Sequence, residues 1–154
     1  MITVEGLTKS FGRQPVLRQL DLEVPTGSVT VIIGRSGGGK SVFLKHLIGL
    51  LHPDAGRVLV DGAEITRLRG RALDAVRRRY GVVFQGGALF DSMTCWDNVA
   101  FPLREKLRLR RAEVGKRVET ALAQVGLEGV GGKNPAEISG GMRKRVAIAR
   151  ALVT

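Results

Sequence analysis

Eight consecutive residues carry the strongest chemical signal in the sequence. Gly34, Arg35, Ser36, Gly37, Gly38, Gly39, Lys40 and Ser41 fit the pattern G-x-x-x-x-G-K-[ST] at every fixed position. Glycines allow backbone N–H groups to turn inward around phosphate oxygens, and a helix that follows adds the positive end of its dipole. Lys40 is then placed to reach the β and γ phosphates of a nucleotide, and the Ser41 hydroxyl to ligate a Mg²⁺ ion bridging them. A glycine turn without a ligand has need of neither Lys40 nor Ser41.

Three weaker features accompany this loop. Ser139, Gly140, Gly141 and Met142 open a helical segment, with Ser139 in the position of an N-cap and two glycines that leave N–H groups accessible to a second phosphate. Capping alone accounts equally well for a Ser-Gly-Gly start. Gln85 ends the apolar run YGVVFQ, where strand ends of an open α/β sheet line the ligand crevice. Phe11, in KSFG, has two readings: a ring stacked on a nucleotide base, or a core side chain.

The elements that must position these residues follow from hydrophobic period. Residues 2–6 and 16–24 read as strands, the second through the alternation in LRQLDLEV. The β-branched run SVTVII, 28–33, predicts a strand feeding the glycine loop, and the apolar positions of 42–51 predict a helix that Pro53 stops. A strand over 56–60 turns at Asp61-Gly62, a basic helix covers 67–79, and YGVVF at 80–84 has the composition of a buried strand. Residues 97–125 are mostly helical by period, 129–135 read as a loop, and a last helix runs from Ser139 through Leu152.

Composition narrows the classes. The chain has 154 residues, 44% of them hydrophobic and 25% charged, which suits one globular domain able to bury a core. A single cysteine, Cys95, excludes an internal disulfide framework and favours a reducing compartment. No apolar run approaches the roughly 20 residues of a membrane-spanning helix, and the opening MITVEGLTKSFG lacks a signal-peptide core. Net charge is +11, and residues 101–154 hold 12 of the 25 basic groups against 5 of the 14 acidic ones. Such an excess raises nucleic acid as a partner. The basic residues are, however, interleaved with aliphatic ones at helical spacing, and only 5% of the chain is aromatic, so solvated helix faces are the simpler reading and no specific nucleic acid is expected.

In this order and spacing the motifs resemble the nucleotide-binding subunit of ATP-binding cassette (ABC) transporters, over essentially the whole chain. The resemblance implies an α/β P-loop NTPase of ABC type: a RecA-like core with an antiparallel β subdomain and an α-helical subdomain. It divides the chain into a β subdomain with P-loop core (1–85), a helical subdomain (86–138) and the signature helix (139–154). It implies ATP and Mg²⁺ as cofactors, with Phe11 at the adenine, Gly34 to Ser41 at the phosphates, and Ser41 and Gln85 toward the metal. Ser139, Gly140, Gly141 and Met142 would contact ATP held by a second copy in a head-to-tail homodimer. Integral-membrane permease subunits are the implied partners, and the implied location is cytoplasmic, at the inner face of the cell membrane. Leu89, Phe90, Met93, Trp96 and Phe101 would either line a groove for the permease or pack internally. The stretch FQGGALFDSMTCWDNVAFPLRE and the signature ISGGM look most like the MCE-linked (Mla, toluene-tolerance) lipid-transport branch, which adds an MCE-type lipid-binding partner. ATPases for amino acids, sugars or drugs are the alternative.

The chain departs from this pattern at one point. The family follows its signature helix with a hydrophobic strand ending in Asp-Glu and, later, a switch histidine, and neither is matched here. The hydrophobic run before Asp61 ends in Gly62 rather than glutamate, and His46 and His52 lie on or just after the P-loop helix. The expectation is therefore a chain incomplete at its C-terminus, able to bind nucleotide but slow to hydrolyse it, because water must be oriented and charge neutralised for phosphoryl transfer.

Overall fold

The structure, a computed structural model, describes residues 1–107 and 109–154, and of Lys106 only the backbone. Two compact units divide it, Met1–Arg79 and Tyr80–Thr154.

The first unit is built on an antiparallel sheet. Strands β1 (Ile2–Phe11), β2 (Gln14–Val24), β3 (Ala55–Val60) and β4 (Ala63–Glu64) lie in the order β2-β1-β3-β4. Val4 stands opposite Leu22 on one side and Val58 on the other. Val4, Leu7, Leu17, Val58 and Val60 are buried from these strands, and Phe43, Leu47, Ile65 and Leu73 are buried from the segments outside them. Helix α1 (Lys40–Leu47) begins at the lysine of the glycine loop, two residues before the expected start. It ends well short of Pro53: Gly49 donates to the His46 carbonyl and Leu50 to the Lys45 carbonyl, a pair of bonds that closes a helix C-terminus. Helix α2 (Gly70–Arg77) is the predicted basic helix, shorter at both ends.

Two predicted strands do not form. Residues 28–33 have no ladder, and Val29, Val31 and Ile33 are 92%, 74% and 90% exposed. Residues 80–84, in the second unit, likewise belong to no strand, with Val83 and Phe84 exposed. A β-branched run of this kind suits a strand covered on both faces, but it becomes one only when neighbouring backbones accept its N–H and C=O groups. Among the described residues neither run is part of a sheet ladder.

In the second unit, α3 (Cys95–Lys106), α4 (Arg111–Gln124) and α5 (Gly140–Leu152) pack on one another. Their core comprises Cys95, Val99, Leu103, Val114, Val118, Leu122 and Val146, with Leu127 and Ile138 from the connections. The expected helical stretch 97–125 is thus two helices, and Arg108 within it lies outside the described residues. Cys95 is fully buried, and burial pushes its thiol pKa up, as expected of an unreactive core cysteine. No helix among the described residues is long and apolar enough to cross a membrane.

Candidate functional site

The glycine loop rests on β2. Gly39 has φ +86°, and a Cβ there would lie 3.0 Å from Val16 Cγ1 and 3.2 Å from the Val16 carbonyl, so only glycine fits without displacing the strand. Gly38 donates to the Arg35 carbonyl at 3.1 Å, closing a turn around the exposed Ser36 and Gly37. Lys40 folds its ammonium back over this turn, with Nζ 2.7 Å from the Gly34 carbonyl and 2.8 Å from that of Arg35. Among the described residues no carboxylate pairs with Lys40.

Helix starts differ in how the chain treats them. The first helical bond of α1 runs from Phe43 N–H to the Gly39 carbonyl, which leaves the N–H groups of Lys40, Ser41 and Val42 ahead of it. No side chain caps them and the first turn holds no acidic residue. At α3 the same groups are filled by the protein itself: Cys95 donates to the Lys133 carbonyl, Trp96 to the Gly131 carbonyl, and Asp97 to Thr94 Oγ1. An uncapped helix start beside an unpaired lysine is an anion cradle, with the dipole and the ammonium acting in the same sense. Exposed Ser41 stands in the first turn of this helix. The donor set therefore fits a nucleotide's phosphates, with one hydroxyl available to a divalent cation.

Phe11 ends β1 at the two-residue turn to β2 and is 49% exposed, with the Lys9 ammonium 5.7 Å from its ring centroid. It is not a core residue. Asp61 lies in the β3–β4 turn with φ +47°, paired with the N-terminal ammonium and with Arg79. His46 is buried, its Nδ1 donating to the Val42 carbonyl within its own helix at 2.7 Å.

The remaining site residues belong to the second unit. Gln85 is exposed at a turn closed by Gly87 N–H on the Phe84 carbonyl. Ser139 is the N-cap of α5 and accepts from the Met142 N–H at 3.2 Å. A Cβ on Gly140 or Gly141 would meet nothing nearer than 3.6 or 3.9 Å, so packing within this chain does not demand glycine at either position. Met142 turns its side chain into the helical core. Leu89 and Trp96 also pack on that core, while Phe90 is 42% exposed and stacks obliquely on Phe101 at 4.9 Å.

Two residues escaped the sequence reading. Asn98, fully buried on α3, accepts from the Phe90 N–H at 2.8 Å, and its Nδ2 faces the carbonyls of Phe90, Met93 and Thr94 at 3.0 to 3.2 Å. Its spacing of three from Cys95 puts it on the inward face, a signal present in the sequence. Arg150 on α5 donates through Nη2 to the Gly87 carbonyl and through Nη1 to that of Ala88, both at 2.7 Å. Partial burial lowers its pKa. In a basic helix it looks like one more solvated charge, and nothing local separates it from its neighbours.

Comparison with known proteins agrees with this geometry. The family described as ABC transporter matches residues 17–154. The chain is 51% identical over 152 residues to the probable ribonucleotide transport ATP-binding protein mkl of Mycobacterium leprae, covering 99% of this chain and 44% of that protein. It is 43% identical to the intermembrane phospholipid transport system ATP-binding protein MlaF of Haemophilus influenzae, covering 99% of this chain and 58% of that one. A solved dimer of the ATP-binding cassette MJ0796, in a post-hydrolysis state bound to ADP and Pi, superposes with TM-score 0.91 at 34% identity, over 99% of this chain and 69% of that one. The chain thus spans about half the length of these curated relatives. With a matching family profile over most of its residues and a cassette fold that carries the glycine loop at the start of α1, the chain belongs to the ABC transporter family.

Proposed function

We propose that the chain is the ATP-binding part of an ABC transporter ATPase subunit, with the phosphates held by residues 34–41. The observation that carries this reading is the uncapped start of α1 beside the carboxylate-free Lys40, in a chain that caps α3 fully with its own groups. Backbone N–H groups of Lys40, Ser41 and Val42 bind the anion. Lys40 exchanges its bonds to the Gly34 and Arg35 carbonyls for phosphate oxygens, and Phe11 offers an exposed aromatic face to the base. A bound Mg²⁺ ion would neutralise phosphate charge, with Ser41 and Gln85 the residues directed to it.

The start of α5, where Ser139 caps the Met142 N–H, is the second phosphate site, addressed to ATP on another copy. Glycine at 140 and 141, undemanded by this chain's packing, suits close approach by a ligand from outside. A homodimer is supported by the dimeric state of the similar cassette, and permease subunits by the family. Phospholipid or another hydrophobic molecule is the proposed cargo, supported by the Mla-like stretch at 84–105 and by MlaF; the relative named for ribonucleotide transport makes a different solute the competing outcome. Co-purification with an MCE-type protein separates the two.

The defining experiment is a titration with fluorescent ATP in the presence of Mg²⁺. Lys40→Ala is expected to weaken binding at least tenfold, about 1.4 kcal/mol, with unchanged thermal stability. Equal affinity of variant and wild type overturns the reading. Steady-state phosphate release by this 154-residue chain is expected to be slow, since its sequence matches no hydrophobic strand ending in Asp-Glu to orient water.

A further inference from the structure

Arg150 makes a contact that the proposed nucleotide chemistry leaves unexplained. Its guanidinium holds two consecutive carbonyls, Gly87 and Ala88, just past the turn that carries Gln85. Those two residues have φ +79° and +46°. Ala88, which has a Cβ, is in a region that L-residues other than glycine avoid at a cost of order 1–2 kcal/mol. Consecutive left-handed residues point successive carbonyls the same way, and here both point at one planar fork. The fork is partly buried, where a charge-assisted bond is stronger than in water. Packing also holds this segment, since Gly81 lies against Ala151, Gly87 beside Ala147 and Leu89 on the helical core, and Asn98 fixes the backbone from Phe90 onward; Arg150 alone bonds the two left-handed carbonyls by side chain among the described residues.

Arg150 and the signature share one helix. Ser139 caps α5 and Arg150 lies eleven residues on, so the two ends are roughly 16 Å apart along a rod that bends little over such a length. We propose that Arg150 is a positioning residue that fastens the Gln85 turn to the signature helix, so that Gln85 and residues 139–142 are carried on one rigid piece. Its functional meaning rests on the nucleotide reading above: a change at the α5 start on ATP engagement is then delivered mechanically to the turn that bears Gln85. Lysine at this position retains the charge but replaces the planar fork with a point ammonium on a flexible stem, which holds two carbonyls less rigidly.

Amide hydrogen exchange tests this on the whole chain. The Gly87 amide, bonded to the Phe84 carbonyl, reports the turn; the Phe90 amide, bonded to Asn98, and the amides of Val146 and Ala149 in α5 are internal controls. Without nucleotide, Arg150→Lys is expected to speed exchange at Gly87 at least tenfold while the three controls change less than threefold. The proposal is overturned if Gly87 changes less than threefold, or if the controls accelerate with it, which would make Arg150 a general stabiliser. With MgATP, wild type is expected to gain protection at Gly87 and at residues 140–143 together, whereas Arg150→Lys gains it at 140–143 alone. Joint protection persisting in the variant also overturns the proposal. Absence of any MgATP effect in wild type counts against the nucleotide reading, and the comparison without nucleotide still decides whether Arg150 is the fastener.

Discussion

At the scale of single residues, the chemistry-bearing groups and the groups that hold them in place are of different legibility. Lys40 and Ser41 stand out because their types are costly to explain otherwise, and Lys40 folds its ammonium onto the Gly34 and Arg35 carbonyls of the loop. Asn98 is the opposite case. As a polar residue in a helix it reads as ordinary, yet it is wholly buried and supplies an acceptor to Phe90 and donors to a ring of three carbonyls. Its removal takes away the side-chain partner of the Phe90 N–H and of the Met93 carbonyl, each costing about 1–3 kcal/mol, while the Phe90 and Thr94 carbonyls keep the Met93 and Asn98 backbone N–H groups. Asn98→Ala is therefore expected to destabilise the second unit by roughly 2–4 kcal/mol, measured as a fall in urea midpoint at constant m-value. Asn98→Asp should recover little of this, because an ionised carboxylate accepts from Phe90 but donates to none of the carbonyls. A loss below about 1 kcal/mol in the alanine variant would show that the 90–94 segment is held by its apolar contacts instead.

At the scale of elements, the alternation in LRQLDLEV makes β2 legible as a strand, but β1 and β2 run longer than the expected 2–6 and 16–24, and their register shifts between Val4 and Leu7, Leu7 and Lys9, and Lys9 and Ser10, which alternation does not foretell. Residues 28–33 and 80–84 have strand composition but form no ladder, for a physical reason: composition reports what a strand would bury, while pairing depends on a neighbour that local sequence does not contain. Strand β3 shows what secures an element when hydrophobic pattern alone does not. Asp54 at its start binds Lys9 and the Ser10 N–H of β1, and Asp61 at its end binds the N-terminal ammonium and Arg79. The Lys9 hydrogen bond, then that of Ser10, lowers the Asp54 pKa; the N-terminal ammonium, then Arg79, lowers that of Asp61. A carboxylate with a depressed folded pKa contributes stability that is complete above its unfolded value and is lost as pH falls through the folded one. The first unit should accordingly lose stability below about pH 4, where unfolded aspartates begin to protonate. Asp54→Asn should flatten that acid limb in a pH series of urea midpoints. Both carboxylates are exposed, so raising salt should diminish the difference. An acid limb identical in variant and wild type would remove Asp54 from the account.

At the scale of the whole molecule, the charge of +11 takes on a different meaning once the arginines are located. Arg77 donates to the Ile48 and Gly49 carbonyls just past α1, and Arg145 to the Val125 and Gly126 carbonyls just past α4. Arg143 holds the Ile138 carbonyl before α5, and Arg150 the pair after Gln85. Orphan carbonyls at helix ends are favourable places for a cation, and these four arginines are occupied with turns and helix ends rather than free to meet phosphates. Arg57, Arg67, Arg79, Arg104 and Arg117 are further engaged with carboxylates. A surface built for duplex DNA works differently: it neutralises a row of phosphates, and six to ten such contacts lose about 10³–10⁵ in affinity between 50 and 200 mM salt. For this chain the expected change over that interval is less than about tenfold in a fluorescence titration with a random duplex, starting from weak binding. A steep salt slope would mean that the exposed basic residues of α4 and α5 act together as a phosphate-tracking face, and the positive charge would then have to be read as a second binding function rather than as the cost-free by-product of arginines that cap the fold.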